Sequence, residues 1–178
     1  MQRLLFLIAA ALFVAATAGA TTVKPLSVEE LTRAAGSVVE AQAGDSWSAW
    51  NAGHSLIYTY TRFTVFRGLK GGSSIEVIVK QPGGVVGGYA QRVPGVRGFQ
   101  AGEQAVLFLR PSVDADGTHV VVGLMQGNFR MFPTSSGEMA VSNGAPAAWE
   151  LTPQGTRVYT GTRMSLQQLE SRVRGAQR

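Results

Sequence analysis

The chain has no cysteine and only two histidines in 178 residues. The first absence excludes disulfides, thiol nucleophiles, thiolate zinc sites and iron–sulfur clusters. The second leaves His54 and His119 as the only imidazoles for acid–base work. Neither lies in a G-x-S-x-G, H-E-x-x-H or S-x-x-K pattern, so no catalytic residue and no metal ligand is assigned. Acidic residues are scarce as well, 11 against 16 lysines and arginines, which gives a formal charge of +5. The basic residues are scattered, and the densest group is Arg172, Arg174 and Arg178. Scatter of this kind reads as a soluble surface facing an anionic envelope, not as the basic stripe of a nucleic-acid binder.

Long apolar runs are also missing, apart from Leu4 to Ala16. That run falls short of the roughly 20 residues that span a bilayer. Arg3 precedes it, and Ala18-Gly19-Ala20 follows with a small-x-small pattern. Together these predict a signal peptide over residues 1–20, cleaved so that the mature chain begins at Thr21. Export to the periplasm or beyond follows, with no transmembrane segment after processing. Loss of Arg3 leaves 15 basic residues against 11 acidic. The remaining chain, about 158 residues, is long enough to form one domain, 21–178, held by its core without disulfides.

What is present is mostly β-forming. Ile57 to Arg67 is dense in branched and aromatic residues, which suit a pleated surface. Alternation puts Ile57, Thr59, Thr61, Phe63 and Val65 on one face, and Tyr58, Tyr60, Arg62, Thr64 and Phe66 on the other. A glycine-rich turn, Gly68 to Ser73, leads into a second strand with Ile75, Val77 and Val79 on one side. Leu69 is expected to pack inward beneath that turn. Upstream, Ser27 and Glu30 form a capping box with Leu26 and Leu31 as staple, predicting a helix from Val28 to about Ala35 that stops at Gly36. Ser37 to Ala43 reads as the first strand. Gly44 to Ser55 reads as a polar loop carrying Trp47, Trp50 and His54. Gly83 to Gly88 lacks the spacing of a phosphate loop and reads as a bent strand that another backbone approaches closely. Gln104 to Leu109 and His119 to Met125 read as buried strands, and Phe129 to Phe132 as a further one. Pro133 to Gly155 reads as irregular loops or a short added hairpin, and Arg157 to Thr160 as one more strand. Ser165 and Gln168 then cap a closing helix with Leu166, Leu169 and Val173 as its buried stripe. Phe63, Val65, Ile75, Val77, Val79, Val106, Phe108, Val120 and Val122 are the expected core.

This order predicts a mainly β fold: a five-stranded OB-type antiparallel barrel over about residues 26–132, with an N-terminal helix and a C-terminal helix. The chain resembles a group of exported bacterial proteins with a common layout of motifs. They are a helix and VV strand (Leu31, Val38, Val39), a YTY strand (Tyr58, Thr59, Tyr60) and an LKG turn (Leu69, Lys70, Gly71). A QPGG segment (Gln81 to Gly84), a Gly102-Glu103 turn and a GLxQGxFR segment (Gly123, Leu124, Gln126, Gly127, Phe129, Arg130) complete it. It is also similar to the netrin-like domain of tissue inhibitors of metalloproteinases. The cues are the strand at Val38, the lysine-glycine turn after a long strand, and the glycine-led turn before the fourth strand. That resemblance implies an exported protease as partner, met by the N-terminal amine and carbonyl. Those inhibitors begin with a disulfide-bonded cysteine, whereas here the expected N-terminus is Thr21.

Two functions from different classes stay open. One is a non-catalytic binding module whose partner is a protein or a glycan of the envelope or exterior, with Thr21, Thr22, Trp47 and Trp50 as contact residues. The other is an envelope hydrolase with a scattered active site. Asp114-Ala115-Asp116-Gly117 lacks the downstream glutamate of a calcium loop and reads as a turn. No cofactor and no nucleic acid is expected.

Overall fold

The computed structural model describes residues 21–72, 74–144 and 148–178. The expected leader and Ser73 of the expected turn lie outside the described residues. The protein is mainly β. In chain order the elements are β1 (Thr21–Val23), α1 (Val28–Ala34), β2 (Ser37–Trp50), β3 (Ile57–Lys70), β4 (Glu76–Pro82), β5 (Gly84–Val86) and β6 (Tyr89–Gln91). Then follow β7 (Gln104–Pro111), β8 (His119–Val121), β9 (Asn128–Pro133), β10 (Met139–Ser142), β11 (Ala148–Thr152), β12 (Gly155–Val158), β13 (Arg163–Ser165) and α2 (Leu166–Gly175).

An eight-stranded sheet runs β13-β10-β9-β7-β2-β3-β4-β8, and β8 also pairs with β7. Five strands, β2, β3, β4, β8 and β7, therefore close into a partial ring. Its seam is thin: β8 meets β4 in parallel through Val79 and His119 alone. Against β7 it is antiparallel over three pairs. Strands β9, β10 and β13 continue the sheet away from β7, and β1, β11 and β12 form a separate small sheet.

Alternation on β2 and β7 serves two cores. Val39, Ala41 and Ala43 of β2 join Ala105, Leu107 and Leu109 of β7, Phe63, Val77, Val79 and Val121 inside the ring. The intervening Val38, Val106 and Phe108 face the other way, where Val28, Leu31, Phe129, Leu169 and Val173 cover them. Each group loses its contact with water, at about 25 cal/mol per Å² of apolar area buried. Several expectations are corrected by this arrangement. Val106, Phe108 and Val122 are buried, but under the helices and not within the ring. Ile75 precedes β4, beyond the end of the ring interior, and is 85% exposed. Val120 is half-buried on the outer face, because the inward position of β8 falls to Val121. The strand expected over His119 to Met125 stops at Val121, since Gly123 and Leu124 both take a left-handed backbone. The stretch expected as a loop from Gly44 is strand as far as Trp50.

Both helices begin as their capping boxes require. Ser27 Oγ accepts from the Glu30 N–H at 3.2 Å, and the Glu30 carboxylate accepts from the Ser27 N–H at 2.7 Å. Ser165 and Gln168 repeat the exchange at 3.1 and 3.0 Å. The lysine-glycine turn has a structural task. Leu69 packs against the helix-side core. Lys70 Nζ donates to the Thr32 and Ala35 carbonyls at 2.5 and 2.6 Å, satisfying the exposed end of α1. Gly71 sits against the Gly36 carbonyl, where a Cβ would come within 2.6 Å.

The two helices are clasped by Arg172, whose guanidinium donates twice to Glu29 at 2.7 Å. These bonds bring the Glu29 carboxyl from its usual 4.5 down to about 2. A carboxylate whose folded pKa is depressed contributes stability above its unfolded value, and loses it as pH falls through the folded one. The Glu29→Gln protein should thus unfold earlier than the parent above pH 4.5, and match it near pH 2. The pair is partly exposed, so the difference will be modest. Denaturant midpoints across that range check it, and a gap independent of pH would place the effect elsewhere.

Candidate functional site

Residues paired across neighbouring strands point to one face. Trp47 pairs with Tyr60, and Tyr60 with Lys80, which makes a row across β2, β3 and β4. Tyr58 stands two residues along on the same outer face, between Ala49 and Pro82. The rings of Trp47 and Tyr60 lie nearly parallel, 12° apart with centroids at 5.6 Å. Trp47 keeps 42% of its surface exposed. The register that makes this row depends on a shift between Ala43 and Ser46, where Gly44 and Asp45 of β2 stand opposite the single Arg62 of β3. Beyond it the opposite face is polar, with Ser46 bonded to Thr61 at 2.8 Å and Ser48 to Thr59 at 3.0 Å.

Trp50 lies three residues beyond Trp47 and so faces the other side of β2. It stacks on His54 at 6.1 Å and meets the edge of Tyr89 at 5.7 Å. The β5–β6 hairpin reaches this side because Gly84 has no side chain. A Cβ there would stand 2.4 Å from Ser48 Oγ and 2.7 Å from Thr59 Oγ1. The close approach expected around Gly83 and Gly84 is thus present. Thr21 and Thr22 belong to β1, paired with Ala148 and Trp149 of β11. Of the four residues singled out in the sequence, Trp47 joins the tyrosine row, Trp50 joins Tyr89, and the two threonines sit on a different sheet.

Lys80 is the residue that sequence reasoning missed. Its side chain is only 5% exposed. Its ammonium lies 4.4 Å from the Tyr58 ring centre and 5.7 Å from that of Tyr60, and it donates to Asp114 and Asp116, the latter at 3.3 Å. Burial pulls its pKa down, but the two aspartate hydrogen bonds prevail and hold the ammonium above the usual lysine range. Asp116 is held below the usual carboxylate range, first by the Thr118 hydroxyl. The Asp114–Asp116 turn is therefore an anchor for Lys80. No signal in the sequence places an aspartate 34 residues away over a strand lysine.

His119 opens β8 beside Val79, with its Nδ1 buried and unpartnered. Among the described residues neither histidine bonds a carboxylate, and no group of three or more acidic or histidine side chains is arranged to hold a metal ion. A groove of about 430 Å³ runs beside Tyr58 and Lys80, walled by Arg110, Val120 and Leu124. Backbone strain occurs at three places, two of them beside Lys80 and the groove. Among the described residues the only non-glycine positions with positive φ are His54 (50°), Ala115 (51°) and Leu124 (65°). The first lies in the β2–β3 turn, the second between the two aspartates, and the third on the groove wall. Such positions cost about 1–3 kcal/mol each and persist where surrounding structure imposes them, commonly at binding sites.

No family model matches this chain, and no curated protein matches it.

Proposed function

We propose that the protein is an exported, non-catalytic binding module built on an OB-type barrel, and that it takes a neutral glycan chain across Trp47, Tyr58 and Tyr60. The observation that carries this reading is the row of Trp47, Tyr60 and Lys80, with one exposed stacked tryptophan at its end. The order of the partial ring supports the barrel, with three antiparallel strands in succession and the last strand parallel to the third. In OB folds recognition uses the face of the second and third strands, with the loops between the first and second and between the fourth and fifth. Here those parts are β3, β4, the turn holding His54 and the turn holding Asp114 and Asp116. The Asp114–Asp116 turn meets β3 and β4 on this surface through Lys80, and the His54 turn closes the neighbouring side by stacking on Trp50. Rigid aromatic rings there offer flat contact area at low entropic cost. Within the row the Lys80 charge is already taken by two aspartates, so the aromatic rings supply the contact area there and favour a neutral ligand.

Tryptophan emission tests the reading, because the chain has three tryptophans and only Trp47 lies in the row. Neutral oligosaccharides such as cellohexaose, chitohexaose and maltohexaose are titrated against the protein. At least one should shift the emission saturably. Trp47→Ala should abolish that shift with the melting curve unchanged, while Trp50→Ala keeps it. A response that survives Trp47→Ala would move the contact surface away from the row. Silence towards every oligosaccharide, with an envelope protein retained only by a column bearing intact Trp47, would replace the glycan by a protein ligand.

A further inference from the structure

A second site lies off the ring, on strands β9, β10 and β13. We propose that the cleft there binds an acidic sugar, with Arg130 and Arg163 holding its acid group and Asn128 receiving one of its hydroxyls. Alternation places Asn128, Arg130 and Phe132 on one face of β9. Arg130 pairs with Ser142 of β10, and Ser142 with Arg163 of β13. Two guanidinium side chains therefore rise from the same sheet face with a small serine between them. Adjacent strands lie about 4.8 Å apart, so the two arginine backbones stand roughly 10 Å from each other. An acid group fits between forks at that span, accepting from both, while the serine leaves room beneath it.

The charge around the cleft is not balanced by the protein. Glu103 is buried and shared by Arg97 and by Arg130, the latter at 3.2 Å. Arg163 has no carboxylate partner among the described residues. Its guanidinium lies 4.6 Å from the centre of the Phe132 ring, which holds it against the wall. Three arginines against one glutamate leave a surplus positive charge, and the cleft they line has a volume of about 690 Å³. That is the size of pocket that encloses a small ligand. Asn128 supplies the second requirement. It is 7% exposed, it lines the cleft, and its Oδ1 is buried with no hydrogen-bond donor. A buried acceptor left unpaired forfeits the hydrogen bonds it had in water, and a ligand hydroxyl would restore one. The ligand thus needs an acid group and a hydroxyl on one small frame, together with a carbon face to lie along Phe132. An acidic sugar has all three. The cleft shares no residue with the Trp47 row, and the inference stands whether or not that row binds glycan.

Two-dimensional amide spectra of the ¹⁵N-labelled protein at 0.15 M salt test it, with D-glucuronate, glucose 6-phosphate and D-glucose as probes. At least one of the two acidic sugars should shift the amides of Asn128, Arg130, Ser142 and Arg163 saturably, and the stronger of them identifies the acid. Glucose should leave those amides in place. Arg163→Met should weaken the response about tenfold or more, the size expected for a lost charge-assisted pair of bonds, with unfolding unchanged because Arg163 is in no ion pair among the described residues. Trp47→Ala should leave the response intact. Equal shifts with glucose, shifts spread over exposed arginines and untouched by Arg163→Met, or no shifts at all would each overturn the proposal.

Discussion

Phe108→Ala lowers the free energy of unfolding by about 3–5 kcal/mol. The ring is fully buried on the helix side of β7 and lies 5.6 Å from Phe129. Its surroundings cannot collapse into the space it leaves. Gly127 passes directly over it, and a Cβ there would stand 3.1 Å from the Phe108 Cβ. The Phe108 N–H donates to the Gly127 carbonyl at 2.8 Å, and its own carbonyl accepts from Val122 at 2.9 Å, which fixes the walls. In a domain of this size each kcal/mol moves the melting temperature by about 2–4 °C, so the loss is roughly 6–20 °C. Val77→Ala, a smaller deletion at the ring's rim, should cost about 2 kcal/mol or less. A Phe108→Ala protein that melts like the parent would mean that the helix-side core is misassigned.

The double substitution Asp114→Asn with Asp116→Asn is expected to cost about 3 kcal/mol, because it strands a buried ammonium. Lys80→Met should cost less. Methionine fills the space against Tyr58 and Tyr60, and the aspartates it releases, 55% and 33% exposed, return to water. The ordering is the test: stranding the buried charge must hurt more than removing it, and equilibrium urea unfolding of the two variants decides it. The pH dependence has two sides. Lys80 has a raised folded pKa, so its contribution is complete below the ordinary lysine value and is lost at higher pH. Asp116 has a lowered one, so its contribution is present above the ordinary aspartate value, about 3.9, and fades as pH falls below it. The latch is therefore strongest between those limits and opens in acid.

Much of this was legible because it is local. The two capping boxes declare their helices within four residues, and alternation on β3 separates Phe63 from Tyr58 and Tyr60 without any knowledge of the fold. The glycines at 83 and 84 declare a bend for the same reason. What was not legible depends on register between distant strands. That the strand carries on to Trp47 depends on one extra residue in the Gly44-Asp45 pair, which only the pairing with β3 reveals. Lys80 acquires its partners from a turn more than thirty residues on. Arg130 and Arg163 become neighbours through Ser142, and nothing in their separate surroundings announces it. The phase of β8 failed for a related reason. In an unbroken apolar run such as Val120-Val121-Val122 alternation has nothing to mark, so which valine turns inward is set by the pairing with β7.

The double service of β2 and β7 carries one more consequence. A strand with one wet face defends its register by hydrophobicity, since a slip of one residue drowns its apolar side. From Val38 to Ala41 on β2 and from Ala105 to Leu109 on β7 both faces are covered, so over that stretch a slip would exchange one interior for the other. What resists the exchange is size. The ring side takes three alanines, Ala41, Ala43 and Ala105, beside Val39, Leu107 and Leu109, whereas the helix side receives Val38, Val106 and Phe108. A β7 shifted by one residue would set Phe108 where Leu107 or Leu109 belongs and Val106 where Ala105 belongs, and overpacking of that kind costs about 1–3 kcal/mol or more. Ala105, the residue of its strand that contributes least to burial, is thus among those that tell the chain which way round to pair.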